Sequence, residues 1–157
     1  MEPMSGCSFP PRPGDRPVVS GPEPHEQVTQ TAPQEWQDML IRLAGALPGV
    51  EVRDSYVDVA GTRAFHLSPT LARGAREAFL AATEFAHVHP SYDGSIHLAL
   101  PPHLASRVEE AGWGEWHPEG GPFLVYGPRN AQESELVWKL LRLSYRYALG
   151  EPDPGLG

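Results

Sequence analysis

At 157 residues with 12 basic and 20 acidic side chains, the chain has the length of one domain and a formal net charge of -8. Gripping a phosphate backbone takes clustered Lys and Arg, and with Lys139 as the only lysine no nucleic-acid partner is expected. The single cysteine, Cys7, excludes an internal disulfide framework and a thiolate zinc cluster. No apolar run approaches the ~18 residues of a membrane-spanning helix, and the start lacks the basic and apolar regions of a secretory signal. A cytoplasmic protein with no membrane partner is the expectation.

Residues 1–33 hold eight prolines and almost no periodic apolar pattern, so they read as a disordered tail with His25 in solvent. The folded domain is expected over 34–150, with 151–157 as a flexible end. Gln34–Leu47 places Trp36, Leu40, Leu43, Ala44 and Leu47 at helical spacing before the stop Pro48-Gly49. Val50–Val59 reads as a strand, and Gly61-Thr62 turns it into a second strand over Arg63–Leu67. Thr70–Thr83 has helix-forming composition around Leu71, Ala75, Ala78, Phe79 and Ala82, although Gly74 weakens it by roughly 1 kcal/mol.

Glu84–His89 and Ser95–Leu100 alternate as strands, and Pro90-Ser91-Tyr92-Asp93-Gly94 between them is rich in turn formers. Symmetric closure of that loop sets His89 opposite Ser95 and His87 opposite His97. Opposed residues have Cβ atoms roughly 4.5–5.5 Å apart, within reach of a shared site. Pro101-Pro102 starts a helix that carries Leu104, Val108 and Ala111 to the stop at Gly112. Trp113–Gly121 reads as an irregular loop and Phe123–Tyr126 as a short strand. The final helix, Asn130–Leu149, has Leu136, Leu140, Leu143 and Tyr147 in one stripe and Gly150 at its end. Hairpin-joined strands followed by helices predict a single-domain α+β fold, an antiparallel sheet with helices packed on one face. The face bearing His87, His89 and His97 is then open to solvent or a ligand.

A His-x-His on one strand with a third His on its neighbour suits a divalent transition metal, so His87, His89 and His97 are candidate ligands. A metal-free alternative uses His97, His117, Glu115 and Asp93 as acids and bases near neutral pH. Asp93-Gly94 is also a turn signal in its own right. Ser95 lacks a nucleophile elbow. Trp113 and Trp116 either line an apolar ligand pocket or fold back on the core. Arg129 either grips a carboxylate or phosphate, or pairs with Glu115.

Three blocks, EFAHVHPSYDGSIHLALP over 84–101, GWGEWHP over 112–118 and LVYGPRN at 124–130 with the helix after it, resemble the bacterial and fungal luciferase-domain family. The resemblance covers roughly residues 36–149 and rests on His-Pro, Asp-Gly-Ser-x-His, Trp-Gly-Glu-x-His-Pro and Tyr-x-Pro-Arg occurring in order. It implies functional roles at the matching positions, among them His89, Asp93, Ser95, His97, Trp113, Glu115, His117, Tyr126 and Arg129. With the residue reading, it marks His97, His117 and Glu115 as catalytic and Asp93, Ser95, Trp113, Tyr126 and Arg129 as ligand-binding. The chain has no GxGxxG and no P-loop, so no nucleotide cofactor is expected. Two functions stay open: an enzyme acting on a small molecule in a histidine-lined pocket, and a non-catalytic module that binds a small ligand or another protein.

Overall fold

A computed structural model describes residues 9–22 and 24–152. Its elements are α1 (Gln34–Gly45), β1 (Val50–Asp54), β2 (Arg63–Leu67), β3 (Glu84–Val88), β4 (Ile96–Leu98), α2 (Pro102–Glu110), β5 (Gly114–Trp116), β6 (Phe123–Val125) and α3 (Ala131–Ala148). The strands form one antiparallel sheet in the order β1-β2-β3-β4-β6-β5. This is the expected α+β fold.

The helices cover one face. Leu40 of α1, Val108 of α2 and Leu140 of α3 join Phe65, Ile96, Leu98 and Val125 of the sheet in a single buried cluster. Asn130 caps α3 by accepting from the Glu133 amide, as a side-chain oxygen at that position should. No helix among the described residues is long and apolar enough to cross a membrane.

β3 and β4 pair in the expected register, His87 opposite His97, and the His89 amide donates to the Ser95 carbonyl. Gly94 makes the turn possible: its φ is +74°, and a Cβ there would sit 2.6 Å from Gln37 Nε2. On its other side β3 is irregular. Phe65 pairs with Ala86 but His66 pairs with Glu84, so Phe85 is an extra residue in the ladder. This bulge lets Phe85 and Ala86 both enter the core and turns Glu84 onto the histidine face.

Four expectations are corrected. Thr70–Thr83 is not a helix; it holds a short 3-10 turn at Arg76–Ala78. There Gly74 lies against the end of α3 and donates its N–H to the Ala148 carbonyl, a close backbone approach that a continuous helix would forbid. The strand expected over Val50–Val59 ends at Asp54, and residues 55–61 leave the sheet as a loop. Gly114–Trp116, expected to be loop, is the edge strand beside β6.

The fourth correction matters most. Residues 1–33 are expected to be disordered, yet 9–22 and 24–33 lie across the domain. The Trp113 indole donates to the Pro10 carbonyl, Arg12 N to Ala111 O, and Gly127 N to the buried Gln27 side chain. Arg16 donates to the Gly114 and Glu109 carbonyls. Composition disfavours a self-sufficient core in this segment, but it does not prevent the segment from satisfying donors and acceptors of a core built elsewhere. The histidine face is therefore covered, by this segment and by loop 55–61, rather than open. At the other end, Glu151 pairs with Arg146. Residues 1–8, with Cys7, and 153–157 lie outside the described residues.

Two outcomes follow. A chain starting at Pro33 is expected to unfold at lower denaturant than the intact chain, because several buried partners are lost at about 0.5–1.5 kcal/mol each. Leu140→Ala is expected to cost about 2–5 kcal/mol in the intact chain, measured by chemical denaturation; Leu140 is fully buried.

A candidate metal centre

Alternation along β3 puts His87 and His89 on the face away from the helices, and the register of β4 brings His97 to them. Loop 55–61 adds a fourth group, Asp58. Its Oδ2 lies 2.9 Å from His87 Nε2, 3.0 Å from His89 Nε2 and 3.8 Å from His97 Nδ1. His97 Nδ1 is 3.1 Å from His87 Nε2 and 3.1 Å from His89 Nε2. Four ligand atoms held at about 2.0–2.1 Å around a tetrahedral ion are about 3.3–3.4 Å apart, so these spacings match such a shell. All four atoms lie within 4.8 Å of one another.

The far nitrogen of each imidazole has its own partner. His87 Nδ1 meets Glu84 Oε2 at 2.8 Å, and Glu84 is held in turn by Ser55 Oγ and the Tyr56 amide. His89 Nδ1 lies 3.0 Å from Asp93 Oδ2 and 2.9 Å from Ser95 Oγ. Asp93 also accepts from the Ser95 amide and hydroxyl and from the Gln27 amide. His97 Nε2 lies 2.9 Å from His25 Nδ1. A carboxylate accepts only, so Glu84 and Asp93 fix the protons of His87 and His89 on their far nitrogens. Both Nε2 lone pairs then point inward, at Asp58 and at His97 Nδ1. Outer carboxylates that orient imidazoles in this way are characteristic of metal sites.

The electrostatics express the same conflict. Burial alone would raise the Asp58 carboxyl, but hydrogen bonds from His87, His89 and His97 hold it well below the usual carboxylate range. Burial lowers His89, yet Asp58 and Asp93 outweigh it and push the imidazole up to about 9. His97 goes the other way, to about 3: burial is the largest cause, and the neighbouring His89, His87 and His25 add to it against Asp58. Glu84 is lowered because bonds from His87, Tyr56 and Ser55 outweigh its burial. A cation is therefore favoured at the centre, and in the absence of a metal a proton on His89 supplies it.

A cavity of about 850 Å³ opens onto the cluster at Asp58, His87 and His97. Its walls include Val57, Phe79, Leu100 and Trp116, and His25 and His117 face it. Of the residues predicted from sequence, His87, His89 and His97 converge as expected. His117 reaches the same cavity through His25, with ring centroids 4.7 Å apart, but it is not in the ligand set. Glu115 Oε2 is 3.7 Å from His25 Nε2, and its other oxygen accepts from Tyr126.

The expected ligand-binding residues are placed differently. Asp93 and Ser95 serve His89 and do not line the cavity. Trp113 is buried in the core, and Tyr126 is buried between Glu115 and Arg16. Arg129 forms a two-bond pair with Glu133, at 3.0 and 2.5 Å, rather than with Glu115. Sequence reasoning missed Asp58, Glu84 and His25. Only Glu84, three residues before His87, carried a local signal, and the bulge that aims it has none.

The description Luciferase domain matches residues 82–144. Proteins called "Luciferase" from Neonothopanus nambi, Armillaria gallica and Armillaria mellea are each 33% identical to this chain over 78 residues. Each match covers 44% of this chain and 29% of the relative, so the chain aligns with less than a third of those proteins. No solved structure matches the chain. His87, His89 and His97 lie inside the matched segment, whereas Asp58 and His25 lie before it. Over residues 82–144 the chain is similar to the luciferase-domain family.

Proposed function

We propose that this protein is a metal-dependent enzyme acting on a small molecule held in the cavity beside the histidine cluster. The observation that carries the reading is the inward convergence of three imidazole nitrogens and the Asp58 carboxylate, with every far nitrogen held by an outer partner. Three neutral imidazoles and one carboxylate suit a borderline divalent ion such as zinc, iron(II) or manganese(II). Such an ion would polarise an oxygen of the bound molecule or of water.

The chain's own residues would do the rest. The apolar walls exclude bulk water from a molecule in the cavity, which strengthens every polar contact inside. His25 and His117 face that space and are placed to hold or move a proton at the substrate. Asp58, on a loop at the cavity edge, is the ligand best placed to shift as a substrate arrives. The name Luciferase carried by the fungal relatives supports an enzyme over an interaction module. A cytoplasmic site of action is part of the same reading, supported by the single cysteine.

Elemental analysis tests the assignment. The intact chain, stripped with chelator and reloaded with zinc, iron(II) or manganese(II) in turn, is expected to retain one ion per chain for at least one metal. His87→Ala, His89→Ala and His97→Ala are each expected to abolish retention while the metal-free proteins still unfold cooperatively. Failure of all three metals to bind stoichiometrically would leave acid–base chemistry by His97, His117 and Glu115.

The pH dependence has a definite sign. Binding must displace the His89 proton, so metal affinity is expected to rise with pH up to about 9, by at most about tenfold per unit. In the metal-free protein, His89 is raised from 6.5 to about 9. Its contribution to stability is therefore full below ~6.5 and lost as pH climbs through about 9. His97 is lowered from 6.5 to about 3, so stability also falls as pH drops from ~6.5 toward 3. For these two groups, thermal scans of chelated protein are expected to peak near pH ~6.5, and bound metal should flatten the alkaline side.

A further inference from the structure

We infer that the N-terminal strap, residues 18–22 and 24–28, is a working part of the metal centre, with His25 the positioning residue for His97, so that strap docking and metal loading are one coupled event. The inference rests on the metal reading above and extends it to a segment that lies outside the luciferase-domain match.

The strap folds back on itself through a bridge between Val19 and Gln27, with Ser20 N donating to Glu26 O and Val28 N to Val18 O. At its far end three consecutive residues meet the histidine hairpin. His25 is buried with Nδ1 2.9 Å from His97 Nε2. Glu26 accepts from the Tyr92 hydroxyl at 2.6 Å. The Gln27 amide donates to Asp93 Oδ2 at 3.1 Å, and Asp93 holds His89. The strap therefore grips two of the three imidazole ligands by the groups that orient them.

His97 is the ligand whose orientation depends on the strap. A neutral imidazole that offers Nδ1 to an ion carries its proton on Nε2. That N–H must find an acceptor in a buried place, and His25 Nδ1 is there to accept. His25 then carries its own proton on Nε2, the atom that faces Glu115 Oε2 at 3.7 Å and has no closer hydrogen-bond partner among the described residues. The reverse polarity, with His25 donating to His97, would leave the proton of His97 on Nδ1, in the middle of the ligand set. Metal loading thus selects one proton arrangement along His97, His25 and Glu115, and that arrangement requires a docked strap. By reciprocity, whatever factor the strap adds to metal affinity, the metal adds to strap docking.

Two variants of the intact chain separate orientation from packing. His25→Phe keeps a ring against His117 but cannot accept a hydrogen bond, whereas His25→Gln keeps an acceptor in a different shape. Zinc affinity is measured by competition with a chelator, and hydrogen exchange is followed at the amides of Ser20, Gln27 and Val28 with and without zinc. His25→Phe is expected to weaken zinc about 10–100-fold, the usual cost of losing an outer partner, and His25→Gln to recover most of it. Zinc is expected to slow exchange at the three amides in the natural and Gln chains and to have little effect in the Phe chain. Natural zinc affinity in His25→Phe, or strap exchange indifferent to zinc in the natural chain, would overturn the coupling and leave the metal reading standing. Failure of zinc, iron(II) and manganese(II) alike to bind the natural chain would overturn both; if only iron(II) or manganese(II) is retained, that ion replaces zinc in the same measurements. If His25→Phe does not fold, zinc-dependent exchange in the natural chain and the affinity of His25→Gln decide the matter.

Discussion

Three imidazole nitrogens and a carboxylate oxygen gathered within 4.8 Å of one another form an arrangement with the spacing to hold a cation. In low dielectric the cost of gathering such groups is large, and the protein meets it by design of the surroundings rather than by relaxing the cluster. Glu84 and Asp93 hold His87 and His89 with their protons turned outward. His89 is pushed up to about 9 because Asp58 and Asp93 outweigh its burial, and His97 is pushed down to about 3 by burial and by the neighbouring imidazoles.

The remaining architecture can be understood as support for that cluster. The helices pack on the opposite face and bury Val88, Ile96 and Leu98, the residues that alternate with the histidines. Those apolar contacts fix the register of β3 and β4, and a slip of one residue would send the histidines into the core. The bulge at Phe85 costs a ladder position and brings Glu84 to the site. Loop 55–61 and the N-terminal segment then roof the face, leaving a cavity that reaches the cluster from one side.

Much of this was legible in the sequence, for identifiable reasons. The hairpin was read correctly because its periodicity, its turn residues and its apolar face agree, and they set His87 opposite His97. α3 was legible from its long apolar stripe. The helix expected over Thr70–Thr83 failed because a tertiary contact, Gly74 against the end of α3, overrode local propensity. Asp58 was hidden because a run of valines reads as strand, and nothing local says that the chain leaves the sheet after Asp54. His25 was hidden because a proline-rich segment lacks the periodicity on which a reading of order depends. Its order comes from partners about 70 residues away. Arg129 read as a ligand anchor because its partner, Glu133, is visible only once α3 is capped at Asn130.

Anomalous diffraction at the zinc edge, from crystals of the intact chain grown with zinc, tests most directly whether the histidine cluster is a metal centre. One strong peak is expected among His87 Nε2, His89 Nε2, His97 Nδ1 and the Asp58 carboxylate, with ligand distances of about 2.0–2.2 Å. A peak elsewhere, or zinc bound through His87 Nδ1 or His89 Nδ1 with Glu84 or Asp93 displaced, would contradict a metal centre at these four atoms.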